Sequence, residues 1–120
     1  ALVMVEDTQS NRDILEGKAT EPGEGPVSMT LDIYQNKDEL SAEEWAKQDT
    51  NWNVGSKRTE VAKAGGVTGV SYMWDGLYAG KSTIVTKGKY AYVFGVTWLT
   101  PSDRIVRDAD AVLKSVIFAE

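Results

Sequence analysis

The sequence contains no cysteine and no histidine. The first absence excludes disulfides, thiolate nucleophiles and zinc-thiolate sites; the second excludes an imidazole base and a nitrogen ligand for a transition metal. Several common catalytic designs go with them. No apolar run approaches the ~20 residues that cross a bilayer, so no membrane span is expected in this chain. Positive charge is also short: 13 Lys and Arg stand against 18 Asp and Glu, a net charge of -5. Tight binding to a phosphate backbone needs clustered cations that release counterions, so nucleic acid is not an expected partner.

What is present is an ordinary globular composition, 42% hydrophobic and 26% charged over 120 residues. That length suits one domain around one core. The opening Ala1-Leu2-Val3 has no initiating Met, which fits a chain after signal removal, a domain of a longer protein, or a trimmed start.

Alternation dominates over helical periodicity along the chain. Ala1 to Val5 is a short apolar run of strand type, and the Pro- and Gly-dense stretch Glu21 to Pro26 predicts a loop. From Val27, apolar Met29, Leu31 and Ile33 alternate with Ser28, Thr30, Asp32 and Tyr34, the period of a strand with one face buried. A helix start follows: Ser41 can cap Glu44 while Glu44 reaches back, and Leu40 can pack on Trp45, so a short helix is expected from Ala42 to Lys47 or Gln48. Its stability must come largely from Trp45 docking on the sheet. Arg58 to Lys63, Val67 to Asp75, Lys81 to Thr86 and Tyr90 to Trp98 read as strands, with turns at Gly65-Gly66 and Lys87-Gly88-Lys89. Thr100-Pro101-Ser102-Asp103 reads as a helix start with Pro in its first turn, and Ile105, Ala109, Val112, Leu113 and Val116 follow at helical spacing. Val116-Ile117-Phe118 is β-branched and aromatic, and a closing strand is expected there. The fold class is α+β, an antiparallel sheet flanked by helices.

Two stretches carry a family resemblance. Leu31-Asp32-Ile33-Tyr34-Gln35-Asn36 followed by Leu40-Ser41-Ala42-Glu43-Glu44-Trp45 resembles the strand-then-helix opening of PsbP-like domains. The Gly65-Gly66 turn, the strand Tyr90 to Phe94 and the run Ala111 to Phe118 resemble the remainder, so the likeness covers residues 27 to 118 or so. The resemblance implies a central antiparallel sheet with helices on its faces and an extracytoplasmic or lumenal accessory role, as in secreted proteins and lipoproteins of bacteria. Photosynthetic members assist photosystem II and its calcium requirement, and a eukaryotic relative binds the GTPase Ran. The chain departs from the photosynthetic members in having no His, so a photosystem role is not carried over.

Two sets of residues are candidates for a site. In the segment Asp49 to Glu60, Asp49, Asn51, Asn53 and Glu60 put oxygens at the first, third, fifth and twelfth places, the spacing of a calcium loop. Val54 stands where that loop requires Gly, and a strand is expected where its second helix would begin. The simpler reading, which we favour, makes Asp49, Asn51 and Asn53 turn formers at a helix exit. The second set is aromatic: Trp52, Tyr72, Trp74 and Tyr78, with Trp98 nearby, either pack the core or offer rings to a protein partner.

Catalysis has less to stand on. Asp103, Asp108 and Asp110 share one helix and Asp32 and Asp75 lie on strands, but nothing in the sequence singles out a pair for acid-base work. Lys81-Ser82 lacks the earlier Gly of a phosphate loop. The expected function is a non-enzymatic binding or assembly module with a protein partner or self-assembly, using the sheet face or the Trp52 loop. No cofactor is required by it. The alternatives are a calcium-tuned accessory domain and a small carboxylate-based hydrolase.

Overall fold

The computed structural model describes residues 2–5, 12, 16, 27–49, 51–76 and 78–118. The loop expected over 21–26 lies outside the described residues. Among the described residues the order is β1 (Leu2–Val5), β2 (Ser28–Gln35), α1 (Ala42–Gln48), β3 (Glu60–Ala64), β4 (Val67–Asp75), β5 (Ala79–Lys87), β6 (Tyr90–Trp98) and α2 (Arg104–Ser115), with a turn of 3-10 helix at Trp52–Val54 between α1 and β3. The strands form one six-stranded sheet in the order β1-β2-β6-β5-β4-β3, antiparallel at every pairing. The chain therefore has the α+β class and the antiparallel sheet expected of it.

β3 to β6 form a meander because each crossing is a tight turn. Gly65 and Gly66 both take positive φ, 56° and 80°, which glycine alone adopts without strain. A side chain at Gly65 would also stand 2.4 Å from the Val116 carbonyl oxygen, so the turn is pressed against the end of α2. Lys87 pairs with Tyr90 across Gly88-Lys89, and Gly88 has φ 61°.

Register divides the sheet into two faces. Met29, Val85, Phe94, Val96 and Trp98 point to one face, where Ile105, Ala109 and Leu113 of α2 close a core. These three are spaced i, i+4 and i+8, one stripe of the helix, and all are buried. Ile105 and Leu113 each contribute about 1.5–3 kcal/mol by that burial. The other face carries Tyr72 and Ile84, which pack with Ala46 of α1 in a second, smaller core. Trp45 joins it from α1 and stacks on Tyr34 of β2 at 5.5 Å. A seven-residue helix is too short to hold itself in water, so this docking keeps it folded.

Two expectations are corrected at the C-terminal end. Val116-Ile117-Phe118 is not a strand. Val116 is extended, but its N–H bonds back to the Val112 carbonyl, and the segment runs past the Gly65 turn at the end of the α2 face. Rings hold it there: Phe118 meets Tyr92 edge-on at 4.7 Å, with Lys87 Nζ 5.8 Å from the Phe118 ring centre. Pro101 also lies before α2 rather than in its first turn, because Thr100 to Asp103 closes as a separate turn. Asp103 shapes that turn by accepting from the Leu99 and Thr100 amides at 2.8 and 3.1 Å and from the Thr100 hydroxyl at 2.7 Å. Those bonds, the hydroxyl's first, hold its carboxyl below the usual carboxylate range.

Candidate functional site

α1 enters through two devices, one legible in the sequence and one not. The Ser41 hydroxyl accepts from the Glu44 amide at 3.2 Å, and the Glu44 carboxylate accepts from the Ser41 amide at 3.3 Å, a complete capping box. Just upstream, buried Asn36 donates from Nδ2 to the Leu40 carbonyl and accepts at Oδ1 from the Leu40 amide, both at 2.9 Å. Its own amide donates to the Lys89 carbonyl at 2.7 Å, which ties the helix approach to the β5–β6 turn.

The exit of α1 is fixed as firmly. Asp49 is its C-terminal cap, and the Asp49 carboxylate accepts a hydrogen bond from the hydroxyl of buried Tyr72. Trp52 meets the Tyr72 ring edge-on at 5.1 Å. Beyond it, Gly55 bridges to Trp74 and the Ser56 amide donates to the Met73 carbonyl at 2.8 Å, so the loop returns along β4. Burial, then the hydrogen bond and charge of Asp49, push the Tyr72 hydroxyl pKa well above its ordinary value.

Because α1 is short, it covers only part of its face. Beside it a cavity of about 230 Å³ opens on β2, β6, β5 and β4, with Asp49 and Asn51 at the helix exit. Thr30 and Asp32 of β2, Ser82 of β5 and Trp74 of β4 line it from the sheet, and Tyr34 completes the wall. Trp74 is held in place twice. Its Nε1 donates to the Ser82 hydroxyl at 3.0 Å, and its ring occupies the space above Gly80, where a Cβ would come within 2.3 Å of it. Desolvation raises the Tyr34 hydroxyl pKa first, followed by the negative charges of Asp32 and Asp49. Two carboxylates thus contribute to one field, and no Lys or Arg is among the described lining residues. The groove offers acceptors, hydroxyls and flat aromatic surface.

The residues proposed from the calcium-type spacing do not converge. Asp49 and Asn51 line the groove, while Asn53 is exposed on the 3-10 turn. Glu60 pairs in register with Ser71 and lies with Met73 and Lys81 on the opposite, α2 side of the sheet. Among the described residues no group of three or more Asp or Glu side chains is placed to hold a metal.

The aromatic candidates separate in the same way. Tyr72 is 1% exposed and serves the core, which corrects its placement on a partner surface. Trp52 and Trp74 are half-buried, Trp74 in the groove wall and Trp52 against Tyr72. Tyr78 lies half-buried just before β5 and is not in the groove. The sequence reading missed the meeting of Asp32 with Asp49 and the part played by Tyr34. A signal for half of it was present, since Ser28, Thr30, Asp32 and Tyr34 share the polar phase of β2's alternation.

No family model matches the chain, and neither the curated proteins nor the solved structures return a match. No described helix is long and apolar enough to cross a membrane.

Proposed function

We propose that the chain is a non-enzymatic binding module of PsbP-like type, acting outside the cytoplasm, that docks a protein partner on the α1 side of its sheet. One observation carries this reading: the groove beside α1 sets an indole and a phenol next to two carboxylates, on rigid strands and with its tryptophan locked. Trp and Tyr are the residues that anchor partners at protein interfaces, because they bring large area with few rotatable bonds. The Asp49 carboxylate at the rim favours a partner that brings positive charge to the same place. The order of strand, short helix, meander and long helix supports the PsbP-like arrangement.

The test compares partner capture by wild type with capture by Trp74→Leu and Tyr34→Ala, each checked for an unchanged fold by circular dichroism. A protein that binds wild type and is released by both variants supports the reading. Partners retained equally by all three would place the contact elsewhere.

A further inference from the structure

The opposite face of the sheet carries a second opening with the reverse charge. A cavity of about 490 Å³ lies at the end of the α2 face that the helix leaves uncovered, lined by Lys81, Arg58, Glu60, Ser56, Thr59 and Ser71 among others. Lys81 is out of place for a solvated lysine. It stands on central strand β5, with Met73 and Val96 as its register partners, on the face where Thr83 and Val85 are buried. Its side chain is half-buried, yet among the described residues no carboxylate comes within ion-pair distance of it or of Arg58. Asp110 of α2 shares a small adjoining cavity with Lys81 without pairing to it. With no described carboxylate in reach, the Lys81 ammonium leaves its positive charge on the wall of the opening for a ligand to meet.

Arg58 is brought to this opening by a built loop. The Ser56 amide is bonded to the Met73 carbonyl at 2.8 Å, and the Ser56 hydroxyl both accepts from the Arg58 amide and donates to its carbonyl, at 3.4 and 3.3 Å. Lys57 between them takes φ 56°, a left-handed conformation uncommon for a residue other than Gly, Asn or Asp. Backbone held in such a conformation must be over-determined by its surroundings, and ligand clamps are among the places where it is found. Hydroxyls from Thr59 and Ser71 add neutral donors beside the two cations.

We infer that this opening binds the tetrahedral oxyanion of a ligand, a phosphate or sulfate group, between Lys81 and Arg58. Lys81 supplies a point charge from the sheet, Arg58 a planar fork from the loop, and the hydroxyls complete the shell. Glu60 on the same wall opposes the anion and limits its affinity. With a net charge of -5 the chain as a whole repels anions, so any saturable binding must be local. This site is independent of the groove on the α1 side.

The experiment is an amide nitrogen–proton NMR titration of the full chain with sodium phosphate, sodium sulfate and sodium acetate, each against chloride at matched ionic strength. Saturable shifts with phosphate or sulfate, confined to the amides of Ser56–Glu60, Ser71–Met73 and Lys81, are expected. Which of the two binds more tightly distinguishes the sources of the group. Lys81→Met should weaken binding about tenfold or more. Arg58→Gln, an exposed change that leaves the fold intact, should weaken it too, while Glu60→Gln should tighten it. Shifts that never saturate, that acetate reproduces equally, or that survive both cation variants would overturn the inference.

Discussion

The hydroxyl of Tyr72, buried on β4, donates its hydrogen bond to the carboxylate of Asp49 at the end of α1. This contact joins the smaller core to the rim of the groove, since the ring packs with Ala46 and Ile84 while Asp49 lines the opening. Tyr72→Phe keeps the ring and leaves a carboxylate short of a donor, so it should cost about 1.5–3 kcal/mol in urea unfolding at neutral pH. The pH dependence has a definite sign. The folded pKa of Tyr72 is raised above the ordinary 10.0, so its contribution is complete below pH 10 and is lost as pH rises further. Above that point the unfolded chain releases a proton that the folded chain keeps, and wild type should lose about 1.4 kcal/mol per pH unit relative to Tyr72→Phe. Parallel stability curves for the two proteins above pH 10 would contradict this assignment.

Gly80→Ala should disturb the groove more than a methyl group ordinarily would. The new Cβ would fall 2.3 Å from the Trp74 ring, which must leave its seat and give up the bond to Ser82. A loss of about 1–3 kcal/mol is expected, with a shift in tryptophan emission that Gly88→Ala does not produce. Gly88 has open space around its own Cβ position but a φ of 61°, so Gly88→Ala strains the backbone without touching Trp74 and separates displacement of the ring from a loss of stability alone. An unchanged emission spectrum in Gly80→Ala would mean that Trp74 does not rest there.

Asn36→Asp should be worse than Ser41→Ala, although both act on the approach to α1. Asp keeps the acceptor for the Leu40 amide but turns a buried donor into a charge facing the Leu40 carbonyl. Loss of an N-cap costs about 1 kcal/mol, whereas a buried charge without a donor costs several. Urea midpoints give the order directly, and equal midpoints would show that Asn36 is not the clamp.

Calcium should leave the thermal midpoint where it is. Glu60 lies across the sheet from Asp49 and Asn51, so the spacing along the chain does not become convergence in space. A ligand at 100 times its dissociation constant adds about 2.7 kcal/mol, several degrees for a domain of this size. A rise of that size with calcium but not with magnesium or chelator, abolished in Asp49→Ala, would restore the loop as a metal site.

The elements were legible where local chemistry decides them. The capping box at Ser41, the glycine turns at Gly65-Gly66 and Gly88, and the alternation of β2 and β4 each follow from a few neighbouring residues. Val116 to Phe118 misled because β-branched and aromatic composition reports packing as well as pairing, and here Phe118 packs on Tyr92 without a ladder. Pro101 misled because a proline suits the turn before a helix as well as its first turn. The groove was legible only in part. Trp74, Asp49 and Asn51 were in view, but their meeting with Asp32 and Tyr34 depends on β6 entering between β2 and β5, which puts residues distant in sequence on one surface.

The central claim, that the α1 side of the sheet is the docking surface, is tested most directly by site-specific photo-crosslinking in the native host. A benzophenone amino acid at Thr30, in the groove, is compared with one at exposed Lys63 on edge strand β3. The account predicts a discrete adduct with one protein partner from Thr30, lost on adding Trp74→Leu, and no such adduct from Lys63. An adduct from Lys63 with none from Thr30, or none from either, would contradict it.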